Sequence, residues 1–283
     1  MEQQSVHTVG IASYLRLIRY RNCIMSGIAA LLGALVVTGR NAPAHWLAII
    51  SAMLVVFLFT GAGNSLNDYL DAEIDRTAHP ERPVPSGLIA RSKARQVSVV
   101  LFALSVLVSI LIGILSIAIV LLSLVLMVSY ELRFKKSGFS GNLIIAWLTA
   151  SLFLYGAVAV GAAIPIWALF LTSFLATLGR EIIKDVEDVE SDRGVRKTLP
   201  MLIGKNGSMS ASSLFLAGAI AVSPFPYLLH QFGYLFLIVV AFADVIFIYT
   251  AALQWRSASA AQSVAKMAMY VALLAFLVGA LEG

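Results

Sequence analysis

Two stretches of the chain carry one acidic pattern. The first holds Asn64, Asn67, Asp68, Asp71, Asp75 and Arg76, and the second holds Glu181, Lys184, Asp185, Asp188, Asp192 and Arg193. Each contains Asp-x-x-Asp-x-x-x-Asp followed at once by arginine. On a helix, positions three, four and seven apart share a face, so each trio can present its carboxylates in one direction. Carboxylates gathered that way repel one another unless cations neutralise them. A hard divalent cation suits the task, because magnesium takes oxygen ligands from one or two carboxylates, water and substrate phosphates. Asp68, Asp71, Asp75, Asp185, Asp188 and Asp192 are therefore candidate metal ligands. Asn67, in an i, i+4, i+8 row with Asp71 and Asp75, adds a neutral carbonyl oxygen. Ordinary solvated helix ends with pairs such as Glu181 with Lys184, or Asp75 with Arg76, would explain one such run. They do not explain the same spacing twice. Two clusters suggest a diphosphate clamped between Mg2+ ions.

Basic residues follow each cluster. Arg76 and Arg82 flank a segment with Pro80, Pro83 and Pro85, which prevent a continuous helix and make a compact loop. After the second cluster, Arg193, Gly194, Arg196 and Lys197 precede Pro200. Guanidinium groups bind phosphate oxygens bidentately and stabilise charge on a departing diphosphate. Arg82, Lys135, Arg193 and Lys197 read as functional cations, and Arg91, Lys93, Arg95, Lys205 and Arg256 as determinants of topology. Arg19 with Asn22, and Tyr130 with Lys135, stand at span ends from which either pair can face a central cavity. Asp68, Asp71, Asp188 and Lys135 are the candidate catalytic residues. Arg19, Asn22, Asn64, Arg76, Arg82, Tyr130, Lys135, Lys184, Arg193 and Lys197 are the candidate diphosphate or substrate contacts. His79 has no second histidine at metal-ligand spacing, and Cys23 is the sole cysteine, so neither a zinc site nor a disulfide is expected. Asp244 stands apart, near the middle of an apolar run.

The elements that must position these groups are membrane helices. Of 283 residues, 60% are hydrophobic and only 12% charged, against roughly a quarter charged in a soluble domain. Apolar runs predict nine spans at about 22–37, 46–63, 97–112, 114–130, 143–160, 166–178, 212–227, 234–253 and 264–281. Residues 97–130 would form a single helix of roughly 50 Å, too long for a bilayer, so a break at Gly113 is expected. No small-residue cleavage site follows Arg16, Arg19 and Arg21, so the first span reads as uncleaved. Nine spans put nearly all basic residues on one side, which marks that side, and both acidic clusters, as cytoplasmic. The net charge of +5 is then topological and implies no nucleic-acid partner. No protein partner is inferred. The fold class is all-α: one polytopic domain over residues 1–283, with a possible internal four-helix repeat, since the clusters end the second and sixth spans.

These residues resemble the UbiA superfamily of intramembrane prenyltransferases over nearly the whole chain. The resemblance rests on Asn67, Asp68, Asp71 and Asp75; on Arg82, Pro83, Pro85, Ser86 and Gly87; on Tyr130 with Lys135; and on Asp185, Asp188 and Asp192. It implies a nine-helix bundle around a central cavity, Mg2+ dependence, membrane-lipid surroundings, and transfer of a prenyl group from its diphosphate. The phrasing of both clusters is most similar to the archaeal-type digeranylgeranylglyceryl phosphate synthases. That subfamily implies joining geranylgeranyl to the free hydroxyl of geranylgeranylglyceryl phosphate, in ether-lipid biosynthesis. The same chemistry on an aromatic acceptor such as 4-hydroxybenzoate is the alternative within the superfamily. An ion or proton transporter is the alternative of another class, disfavoured because the acids cluster at one face and form no path.

Overall fold

The computed structural model describes residues 10–161, 166–194 and 196–282. Residues 162–165, in the expected connection between the fifth and sixth spans, lie outside them. Every regular element among the described residues is helical. In chain order these are α1 (Ile11–Leu17), α2 (Tyr20–Thr38), α3 (Trp46–Leu70), α4 (Ala72–Ala78), α5 (Arg91–Ile112), α6 (Ile114–Leu132), α7 (Phe139–Ala159), α8 (Trp167–Glu187), α9 (Leu199–Val222), α10 (Phe225–Leu228), α11 (Tyr234–Leu253) and α12 (Ala258–Glu282). Seven segments among the described residues are long and apolar enough to cross a membrane. One of them, Tyr20–Leu70, holds both α2 and α3, joined by a tight turn over Gly39–His45. The second half of α8 carries Arg180, Glu181, Lys184, Asp185 and Glu187, which keeps that helix outside the seven. The chain is an all-helical, multi-pass membrane protein.

The break expected inside 97–130 is present. Gly113 separates α5 from α6 at φ 143°, a backbone conformation that side-chain-bearing residues rarely adopt. Three other boundaries differ from the hydropathy pattern. Helices α3 and α8 run on past their apolar stretches to Leu70 and Glu187, so the acidic residues are carried on the helices themselves. Helix α9 begins at Leu199, thirteen residues before the expected span, because an apolar first turn over residues 199–203 joins, across a kink at Gly204, the polar stretch that precedes the apolar run.

The long helices pack in a closed order: α2 against α3, then α5, α6, α7, α8, α9, α11 and α12 in succession, with α12 returning to α2. Helix α7 also crosses α2 and α3, and α12 crosses α8. Where α2 and α7 cross, a Cβ on Gly33 would lie 2.0 Å from the Phe153 carbonyl oxygen, and one on Gly156 would lie 1.8 Å from that of Ala30. Two glycines therefore let the backbones touch, the device by which membrane helices gain dispersion contact without a hydrophobic drive. Leu32, Val36, Phe153, Leu169, Phe236 and Phe276 form one buried cluster; Val55, Val56, Phe59, Phe102 and Tyr155 belong to a second. Outward positions such as Leu107, Leu111, Leu115, Val125, Ile238, Phe242 and Val245 are exposed and apolar, as a lipid-facing surface requires. At one end, fully buried Leu17 of α1 packs with Ala72, Val84, Ile89 and Ala94, pinning α1 to the proline-rich loop and setting the position of Arg19 two residues on.

Candidate active site

Helices α3 and α8 end alike. Asp71 caps α3 at φ −84°, ψ 4°, and Asp188 caps α8 at φ −86°, ψ 3°. Helical hydrogen bonding continues through each cap: the Asp71 N–H donates to Asn67 and that of Asp75 to Asp71, while Asp188 donates to Lys184 and Asp192 to Asp188. The helices bend at the central aspartate without losing register, so each trio still projects from one side of its element, as the spacing implied.

Within the first cluster every aspartate has its own cation. The Arg19 guanidinium donates to Asp68 Oδ1 at 2.8 Å and to Asn67 Oδ1 at 3.1 Å. Arg19 adopts φ 51°, ψ 60°, costly for a residue with a side chain and characteristic of functional sites. Arg82 donates to Asp75 at 2.5 Å, brought back by the proline-rich turn in which Ile89 N–H bonds the Pro83 carbonyl at 2.9 Å. Lys135 donates to Asp71 and, at 3.1 Å, to Glu131. Asn64 donates to the Ile18 carbonyl at 2.8 Å, tying α3 to the turn that carries Arg19. The Asn67 carbonyl oxygen, expected as a neutral metal ligand, accepts from Arg19, and its amide nitrogen donates to Asp71 at 3.0 Å.

The second cluster is held differently. Asn142, at the start of α7, donates to Asp185 at 2.7 Å; Arg196 stands 3.6 Å from Asp192; Arg180 pairs with Glu181. Burial pushes the Asp188 carboxyl above the ordinary carboxylate range, with Asp192 and Glu187 adding to the shift and Lys184 and Arg196 opposing it. A carboxyl in that setting gains from any further cation. Tyr130, near the end of α6, lies against the start of α7, its ring 3.5 Å from where a Cβ on Gly141 would sit. The loops are also joined by backbone: Lys197 N–H donates to the Lys136 carbonyl at 3.1 Å. Gly138, at φ 56°, makes room for this contact, since a Cβ there would sit 2.3 Å from the Lys197 carbonyl oxygen. Both clusters thus share one end of the bundle.

Several candidates lie apart. Arg76 and Arg193 are exposed and pair with Glu73 at 3.1 Å and Glu190 at 3.2 Å, so neither takes part in the pairs that hold the aspartates. The local pairs considered for solvated helix ends, Asp75 with Arg76 and Glu181 with Lys184, give way to Asp75 with Arg82 and Glu181 with Arg180. Asn22 and Lys197 are exposed. Asp244 accepts from Ser223 at 2.7 Å on the α9 side of α11. Cys23 is buried and donates to the Ile18 carbonyl. Glu131 and Asn142 were missed from sequence. Glu131 was signalled by its place between Tyr130 and Lys135, one helical turn before the lysine; Asn142 was signalled as an amide at the mouth of an apolar run. Among the described residues no three carboxylate, histidine or cysteine side chains close into a cage that could hold a metal ion by themselves.

The UbiA prenyltransferase family profile matches residues 26–277. The chain belongs to this family. Digeranylgeranylglyceryl phosphate synthase of Natronomonas pharaonis is 39% identical over 277 residues, covering 96% of this chain and 98% of that one. A solved structure concerned with digeranylgeranylglyceryl phosphate synthase in membranes superposes with a TM-score of 0.88 at 37% identity, covering 96% of this chain and 99% of that one. A UbiA homologue from Archaeoglobus fulgidus, solved with GPP and Mg2+, shares the fold at a TM-score of 0.68 and 17% identity, covering 96% of this chain and 100% of that one. The UbiA match extends over both acidic clusters and over Arg82, Lys135 and Arg196, which pair with them, while Arg19 precedes it.

Proposed function

We propose that this UbiA-family chain is a Mg2+-dependent digeranylgeranylglyceryl phosphate synthase, transferring geranylgeranyl from its diphosphate to the free hydroxyl of geranylgeranylglyceryl phosphate. The observation that carries the reading is end-to-end similarity, at 39% identity, to a relative so named. The donor set suits Mg2+: Asp68, Asp71, Asp75, Asp185, Asp188 and Asp192 offer carboxylate oxygens on two helix ends, the hard donors that Mg2+ combines with water and phosphate ligands. Bound there, Mg2+ would neutralise the diphosphate and favour its departure. The chain's own residues do the rest. Arg19, Arg82 and Lys135 supply positive charge at one helix end, and Arg196 and Lys184 at the other, so the leaving group meets cations from both sides. The allylic C–O bond breaks toward the diphosphate while the acceptor hydroxyl forms the ether bond. A cluster carboxylate takes the hydroxyl proton. The apolar helix faces keep water from the allylic cation.

Three further features belong to this reading. Nine crossings follow if α2 and α3 each span and α8 spans despite its polar end. The acidic clusters then face the cytoplasm, by the distribution of basic residues. The chain is one domain in which α2, α3, α5 and α6 correspond to α7, α8, α9 and α11; matching caps at Asp71 and Asp188 support that repeat. The test is incubation of purified protein with Mg2+, geranylgeranyl diphosphate and geranylgeranylglyceryl phosphate, beside 4-hydroxybenzoate in a parallel reaction. The ether product is expected with the phospholipid acceptor alone. Prenylation of the aromatic acceptor instead would move the chain to the other branch of the family.

A further inference from the structure

Glu131, in the last turn of α6, is a carboxylate outside both acidic motifs. Its side chain is 5% exposed, yet it belongs to no aspartate trio. Both of its oxygens lie 3.2 Å from the Asn67 amide nitrogen, and Oε2 lies 3.1 Å from the Lys135 ammonium. Asp71 Oδ2 accepts from the same two groups, from Asn67 at 3.0 Å and from Lys135. The four side chains close a ring in which two carboxylates share one ammonium and one amide. A buried carboxylate in excess of the local cations is expensive, and an apolar residue would fill the place at lower cost. Something must therefore be gained by keeping it.

We infer that Glu131 is a positioning residue that holds the Lys135 ammonium and the Asn67 amide in place when Asp71 turns to the metal-bound diphosphate. This rests on the proposed function only in taking Asp71 as a site residue. Lysine is a point charge on a flexible four-carbon stem, and loses its place readily when a partner is withdrawn. A divalent cation on Asp71 Oδ2 would repel the Lys135 ammonium and draw off the charge that holds it there. Glu131, one helical turn before Lys135 and on a different helix from Asp71, is untouched by that exchange. With it, the ammonium stays beside the leaving diphosphate; without it, Lys135 loses its remaining anchor and swings to solvent.

The test is a double-mutant cycle on full-length protein in detergent or nanodiscs, using Glu131→Ala, Glu131→Gln, Lys135→Met and the Glu131→Ala/Lys135→Met double variant. Glu131→Ala is expected to lower kcat/KM for the prenyl diphosphate roughly 10- to 100-fold, the usual effect of removing an orienting partner, with the acceptor KM unchanged. Glu131→Gln keeps an oxygen for Lys135 and is expected to recover most of the loss. In the Lys135→Met background, Glu131→Ala is expected to add less than about twofold, because coupled residues are not additive. The Mg2+ concentration for half-activation stays where it is. Additive losses, or a shift of that Mg2+ midpoint of tenfold or more, would overturn the inference, the second outcome making Glu131 a metal ligand. If wild-type protein makes no ether product, the proposed function fails, and the same cycle is read instead by Mg2+-dependent binding of inorganic pyrophosphate. Coupling between Glu131 and Lys135 in that binding supports the positioning role; its absence removes it.

Discussion

Asp71 and Asp75 lie four residues apart on the same bent helix end, yet their partners come from different parts of the chain. Lys135 follows α6, whereas Arg82 returns from the proline-rich loop. Asp71→Asn keeps the shape and an acceptor for Lys135 while removing a charge. Turnover is expected to fall at least ~100-fold with the melting temperature nearly unchanged, as measured by product formation across a Mg2+ titration. Arg82→Ala leaves Asp75, 3% exposed, without its cation. Loss of one partner of such a pair costs about 3–5 kcal/mol, so unfolding in detergent is expected at a clearly lower temperature, with Arg82→Lys intermediate. Arg76→Ala and Arg193→Ala are expected to stay within about twofold of wild-type turnover, since both side chains are exposed and paired with nearby glutamates. These aspartates and arginines were all visible in the sequence. Which arginine met which aspartate was not, because that depends on how three prolines fold a loop back.

The helices owe their arrangement to close approaches that hydropathy does not report. At the α2–α7 crossing, Gly156→Ala would drive a methyl into the Ala30 carbonyl, and backbone cannot step aside as a side chain can. Overpacking of this kind costs about 1–3 kcal/mol or more, and is expected to lower both folded yield and melting temperature. Gly138→Ala acts differently. It meets the Lys197 carbonyl and a positive φ in a loop, so turnover is expected to fall about tenfold while the helical circular dichroism and its melting midpoint change little. Equal losses in both readouts would show that the Lys136–Lys197 junction holds the fold and not the site. The split at Gly113 was legible from length alone, because a bilayer limits a straight helix. The true ends of α3 and α8 were not, because polar residues there are stabilised by partners from other helices.

Taken whole, the molecule is a closed succession of helices whose two acidic clusters share one end and whose apolar residues face outward. Its orientation can be tested cleanly because the one native cysteine, Cys23, is buried. A membrane-impermeant maleimide is expected to label Lys197→Cys only in inside-out vesicles and Arg40→Cys only in right-side-out ones; the reverse pattern would invert the proposed sidedness. The sequence by itself determined the membrane class, the two acidic clusters and the kind of ligand that suits them. Apolar run length, carboxylate chemistry and helical period are local properties, and each is complete within about two dozen residues. Only the tertiary structure decided which cation serves which aspartate, that Asn67 turns its amide and not its carbonyl toward Asp71, and that Glu131 from a distant helix completes the first cluster. Those choices rest on contacts between elements, across 49 positions for Arg19 with Asp68 and 64 for Lys135 with Asp71. Such contacts arise from helix packing, and no spacing along the chain encodes them.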